Sequence, residues 1–222
     1  MSAFDKTIVV GARDSALSKV QVYEVLSLLQ KEHPNVSFSL RWFKTLGDRD
    51  LKTSLTSMEK TNFFTMEIDE AVSEGTCDIG IHSAKDLPEP LATQLCVVAY
   101  TKGVDPADVI VFREGESLKT LKKGAKVGTS SVRREENVKA LRDDLICEDI
   151  RGTIETRLSL LDQGEYDAVI MAKAALIRLK LLRNLSNLPG PTSPMQGRLA
   201  IVARKDNRDM INLFSSLNDV LS

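Results

Sequence analysis

Apolar runs of strand type alternate with segments of helical period along most of this chain, and that alternation restricts the fold more than any other feature. Residues 7–12 form a β-branched apolar run. Asp14 and Ser15 then offer N-caps, and Val22, Val25, Leu26 and Leu29 recur at i, i+3, i+4 and i+7. Pro34 stops that helix, and Ser37–Phe43 reads as a second strand. Phe64, Ile68, Ala71 and Val72 restore helical spacing up to Gly75, which suits the position after a helix. Residues 78–82 and Leu95–Tyr100 are further strands. A second series begins with a strand that Lys126–Gly128 closes and a helix through Val138, Leu141 and Leu145. Residues 145–150 read as strand, Ile154, Leu158 and Leu161 as a helix ended near Gly164, and residues 168–171 and 199–203 as strands. Met210, Phe214, Leu217 and Leu221 make a final amphipathic helix. Strands alternating with helices imply parallel pairing and an α/β fold.

Two irregular stretches interrupt the series. Residues 103–108 hold a Gly, a Pro and two acids, and Pro189, Gly190, Pro191 and Pro194 form the other. Taken as crossovers, they predict one lobe from residues 1–101 plus 198–222 and another from 106–194. Gly75, Asp78 and Ile81 share their spacing with Gly164, Asp167 and Ile170. That echo marks two lobes built alike, or a chance repeat of a common way into a strand.

Charge limits the partners. Lys plus Arg number 30 and Asp plus Glu 31, so there is no basic surplus of the kind nucleic-acid binding needs, and any basic site is local. No apolar run approaches the roughly 18 residues of a membrane span. The N-terminus lacks a basic segment followed by an apolar core, so a cytoplasmic protein is expected. Cys77, Cys96 and Cys147 are odd in number and far apart, and they lie in apolar contexts that suit packing. With His33 and His82 they make no metal spacing. His82 reads as a satisfied strand residue.

Three segments could carry chemistry. Gly128-Thr129-Ser130-Ser131-Val132-Arg133-Arg134 leaves a strand, turns through hydroxyls and starts a helix. Free N–H groups, the helix dipole and two arginines there favour an anion. Arg151-Gly152-Thr153-Ile154-Glu155-Thr156-Arg157 repeats the arrangement. Arg13 follows the first strand, and His82-Ser83-Ala84-Lys85-Asp86-Leu87-Pro88 sets a Lys–Asp pair where another strand runs out. The serines could merely cap a helix, and Lys85–Asp86 could be a surface ion pair. Taken together, cations at strand ends point to a small molecule bearing several carboxylates, held in a cleft between two α/β lobes.

These segments resemble the porphobilinogen deaminase (hydroxymethylbilane synthase) family. The resemblance rests on Val10-Gly11-Ala12-Arg13-Asp14-Ser15-Ala16-Leu17, the 82–88 loop, the 128–134 turn, Arg151-Gly152 with Arg157, and Leu161-Asp162-x-Gly164-Glu165-Tyr166-Asp167-Ala168. Pro194-Met195-Gln196-Gly197 matches the return crossover, and all occur in the family's order. The resemblance implies two lobes like those of periplasmic binding proteins, joined by two crossovers. It implies a monomeric transferase of heme biosynthesis that joins four porphobilinogen units head to tail with release of ammonia, on a dipyrromethane cofactor. By position, Lys85, Thr129, Ser131, Arg133, Arg134, Arg151 and Arg157 match the cofactor-binding set. Arg13, Ser15, Ser83 and Arg178 match the substrate side, and Asp86 the catalytic carboxylate.

The chain departs from the family in two places. The family's third domain, whose cysteine carries the cofactor, has no counterpart in these 222 residues, and none of the three cysteines falls at a matching position. The family's Gly-Lys-Gly-Leu-Phe-type lid reads Lys60-Thr61-Asn62-Phe63-Phe64. Two other readings keep the fold: a binding module for a pyrrole polycarboxylate without turnover, and a solute-binding or effector-type pair of lobes.

Overall fold

The apolar runs assemble into two separate five-stranded sheets. The structure, a computed structural model, describes residues 6–50 and 62–219. Its contacts divide it into one unit of residues 6–50, 62–103 and 198–219 and another of residues 104–197. The first unit contains β1 (Thr7–Arg13), α1 (Ala16–Glu32), β2 (Ser37–Phe43), α2 (Leu46–Arg49), α3 (Met66–Ser73), β3 (Ile79–Ser83) and β4 (Leu95–Tyr100). The chain then builds the second unit from β5 (Asp108–Phe112), β6 (Lys126–Gly128), α4 (Val132–Leu141), β7 (Ile146–Glu148), α5 (Ile154–Asp162), β8 (Ala168–Ala172), α6 (Lys173–Leu179) and β9 (Asn184–Asn187). It returns to the first as β10 (Leu199–Arg204) and α7 (Arg208–Phe214).

The expectation of parallel pairing holds for only part of each sheet. β1 runs parallel to β2 and β3, and β6 parallel to β7 and β8, as strands joined through helices must. β10, however, is antiparallel to both β3 and β4, and β5 is antiparallel to both β8 and β9. Each of these strands enters straight from the other unit, so no helical crossover dictates its direction. The sheet orders are β2-β1-β3-β10-β4 and β7-β6-β8-β5-β9, which are one pattern used twice.

The sequence echo lies at the same place in both sheets. Asp78 donates its N–H to Val9 O at 2.8 Å, and its carboxylate accepts from Val9 N–H at 2.8 Å. Asp167 makes the same pair of bonds with Lys126, both at 2.8 Å. Gly75 and Gly164, at φ +76° and +82°, turn the chain into these aspartates from the preceding helix.

Burial follows strand period. In β5, Ile110 and Phe112 join one cluster with Val127, Val138 and Leu188, while Val109 and Val111 join another with Ile150, Leu158, Leu161 and Met171. A strand covered on both faces reads as a continuous apolar run. In the first unit, Ile8, Val10, Ile79, Ile81 and Ile201 pack with Val22, Val25 and Leu29 of α1 and Phe214 of α7.

Gly197 closes the return connection at φ +87°, and a Cβ there would sit 2.7 Å from Asp105 O. Gly197→Ala should therefore cost about 1–3 kcal/mol of stability, read as a lowered urea midpoint with unchanged slope.

Candidate functional site

In the first unit an open pocket gathers Arg13, Ser15, Gln21, Phe64, Thr65, His82, Ser83 and Asp86. Arg13 ends β1, and its guanidinium is fixed from two sides. It bonds both oxygens of Asp48, with Nε 3.3 Å from Oδ2, and its carbon lies 4.7 Å from the centre of the Phe64 ring. Burial pushes the Asp48 carboxyl up, but Arg13 and two donors from Thr45 outweigh it and hold the carboxyl below the usual range. Ser15 caps α1 by accepting from Ser18 N–H at 3.2 Å. Gln21 donates to Ser83 Oγ at 2.9 Å. Asp86 ends a short 3₁₀ turn (Ala84–Asp86) beyond β3, which Ala84 ties to Arg198 O at 3.0 Å and which buried Ala84 and Leu87 anchor. Lys85 lies half-buried in the same turn.

In the second unit, the turn after β6 places Thr129, Ser131, Arg133 and Arg134 at the start of α4. Ser131 is the N-cap, yet its hydroxyl does not cap the helix; its N–H donates to Thr129 Oγ1 at 3.3 Å. Both arginines reach the fully buried carboxylate of Asp108. Arg134 donates to Oδ1 from Nε at 3.0 Å and from a terminal nitrogen at 2.6 Å. Arg133 brings a nitrogen to 2.8 Å of Oδ2, off the hydrogen-bond line, and donates to Pro191 O at 2.5 Å. Gln196 donates to Asp108 Oδ1 at 3.0 Å and to Pro106 O at 2.7 Å. Arg151 and Arg157 flank the next strand-to-helix turn, where Arg157 Nε donates to Gly152 O at 3.1 Å and Thr153 caps α5. Arg178, buried in α6, donates to Gly197 O at 2.8 Å.

A family model described as "Porphobilinogen deaminase, dipyromethane cofactor binding domain" matches residues 8–212. This chain belongs to the porphobilinogen deaminase family. Similar relatives include a probable porphobilinogen deaminase of Chlamydia trachomatis, 44% identical over 92% of this chain and 85% of that protein. A porphobilinogen deaminase of a Roseiflexus species is 38% identical over 96% and 72%, and that of Fusobacterium nucleatum 38% over 96% and 74%. Among solved structures, an ancestral cationic amino acid solute-binding protein superposes with TM-score 0.61 at 13% identity, covering 95% of this chain and 87% of that one. A substrate-binding domain of a putative amino acid transporter from Streptococcus pneumoniae gives 0.59 at 13%, covering 95% and 91%. The fold is thus that of two-lobed periplasmic binding proteins.

Several residues of these sites were not apparent from sequence. Asp48 and Gln21 carried no motif of their own, although the Thr45-x-x-Asp48 spacing is a capping signal. Asp108 lies at the end of the stretch 103–108, whose composition is that of a connection. His82 is not the satisfied strand residue expected: its Nε2 is buried without a hydrogen-bond partner. Of the altered lid, Lys60 and Thr61 lie outside the described residues; Phe63 is buried against Phe64, ring centres 5.3 Å apart. Desolvation raises the thiols of Cys77, Cys96 and Cys147, the last to about 11, which keeps them protonated and poorly nucleophilic near neutral pH.

The residues at α4 fit the family's dipyrromethane. An uncapped helix start, two hydroxyls and two guanidiniums that share one internal carboxylate suit a ligand bearing several carboxylates. Asp108 holds this set. Burial raises its carboxyl, and Arg134, Arg133 and Gln196 overcome that to lower it. A depressed carboxyl contributes stability that is full above about pH 4, its unfolded range, and is lost as pH falls through the lower native value. Asp108→Ala should cost about 3–5 kcal/mol by leaving buried Arg134 uncompensated, and should flatten the acid limb of stability against pH in urea denaturation.

Proposed function

We propose that this protein condenses four porphobilinogen units into hydroxymethylbilane with release of ammonia. The observation that carries the reading is the convergence of Asp86 with Arg13, Ser15 and Ser83 on one pocket in a chain of this family. Arg13, held rigid by Asp48 and Phe64, binds a substrate carboxylate with little reorganisation. Ser15 and Ser83 add hydroxyl donors. Asp86, on the same pocket, accepts a hydrogen bond from the pyrrole N–H and stabilises the azafulvenium cation left when the aminomethyl nitrogen departs.

Lys85, Thr129, Ser131, Arg133, Arg134, Arg151 and Arg157 would hold the acetate and propionate groups of dipyrromethane. When bound, that group supplies the pyrrole terminus on which the product grows. The reading takes the protein as a monomer of the cytoplasm that acts without nucleic acid or a membrane surface.

The assay is porphobilinogen consumption, with uroporphyrin detected after oxidation and preformed hydroxymethylbilane added as primer. Asp86→Asn keeps the shape and removes the charge, so turnover should fall about 10²-fold or more while binding changes far less. Arg151→Leu should weaken binding of a pyrrole polycarboxylate about tenfold or more in calorimetry. A wild-type protein that consumes no porphobilinogen even with primer would make this chain a binding module instead.

A further inference from the structure

We infer that His82, backed by Asp69, accepts the proton that each condensation releases in the Arg13–Asp86 pocket. The inference rests on the transferase reading and deepens it. His82 is among the residues that line the pocket, its side chain is only 3% exposed, and its Nε2 lies 3.3 Å from Oδ1 of Asp69 on α3. The two atoms are misaligned, so neither has a hydrogen-bond partner, and a small rotation of either side chain would join them. Thr65, one turn before Asp69 and also lining the pocket, has a buried hydroxyl without a partner. Three polar atoms in one wall thus retain unspent hydrogen-bonding capacity, a desolvation cost that apolar side chains would avoid.

The wall is shaped for the imidazole. Gly80 and His82 share one side of β3, and a Cβ on Gly80 would lie 2.8 Å from His82 Nε2. The ring therefore occupies space that only glycine vacates. The charged groups around it are Asp69 behind, and Arg13, with its partner Asp48, and Asp86 along the pocket. A neutral ring that turns Nε2–H toward Asp69 keeps the lone pair of Nδ1 for a proton.

The chemistry needs such an acceptor. The C–N bond of the aminomethyl group breaks, its electron pair leaves with nitrogen as ammonia, and the pyrrole nitrogen supplies electrons to the methylene carbon. The α-carbon of a second pyrrole attacks that carbon and forms the C–C bond. The α C–H bond then breaks, its electron pair restores aromaticity, and its proton passes to Nδ1 of His82. The imidazolium, steadied by Asp69, hands the proton to the departing ammonia as ammonium, so no oxidant or further reagent is required. Asp86 keeps its negative charge for the cation throughout.

Steady-state turnover of porphobilinogen against pH tests this in the full chain. His82→Gln should lower kcat about 10²-fold with KM little changed, and should abolish the acid limb that protonation of the acceptor creates. Added imidazole should restore part of the turnover of His82→Ala. Asp69→Asn, nearly isosteric, should lower kcat less and shift the same limb, and it keeps the question open to test if His82 variants fold poorly. The chain has two histidines, His33 and His82, so the ring-nitrogen NMR signals missing in His82→Gln identify His82. In wild type those signals should move when porphobilinogen is added. Wild-type kcat and acid limb in His82→Gln, or His82 signals indifferent to porphobilinogen, overturn the proposal while leaving the transferase reading intact. Absence of turnover in the wild type overturns the transferase reading and this inference with it.

Discussion

A carboxylate sealed from water organises the second unit. Asp108 opens β5 with no exposure, and two arginines and a glutamine converge on it. A buried charge persists only when its partners are close and well placed, so the start of β5, the first turn of α4 and the segment around Gln196 must adopt mutually consistent positions. Gln196 extends the constraint by also bonding Pro106 O. Two irregular stretches of this unit, residues 104–107 and 190–197, are thereby held by polar contacts where no ladder of strand bonds reaches them.

The first unit solves a related problem in the same way. Arg13 meets Asp48 and the face of Phe64, and Asp48 in turn accepts from Thr45. In both units a cation suited to an incoming carboxylate is already oriented by an internal one. Such a site surrenders part of its charge in exchange for geometry, since little reorganisation remains when a ligand arrives. At Asp108 two arginines face one carboxylate and leave one positive charge over, whereas Arg13 and Asp48 balance.

Much of the fold could be read from periodicity. Ser37–Phe43, Leu95–Tyr100 and Lys126–Gly128 end where their flanking polar residues and glycines place them. β5 escaped because its first residue, Asp108, is charged and follows Pro106, so composition assigned it to a turn; only the partners that neutralise it make it a strand residue. α6 has seven residues and β9 four, too few for a period to register. Arg13 and Asp86 were legible because their strands announce them. Asp48, Asp69 and Gln21 were not, since Gln21 lines the pocket from α1 while Asp48 and Asp69 stand behind Arg13 and His82, and only the tertiary fold brings them together.

The placement of β10 has a consequence for how the chain acquires its structure. β4 touches the rest of its sheet through β10, which pairs with β3 on one side and β4 on the other. About a hundred residues of the other unit separate β4 from that partner in sequence. As the chain leaves the ribosome, the segment 104–197 can complete its own sheet while the first hundred residues still have a gap where one strand belongs. The unit synthesised first is therefore the unit finished last, and until residue 204 emerges the exposed flanks of β3 and β4 are open edges of the sort that chaperones cover.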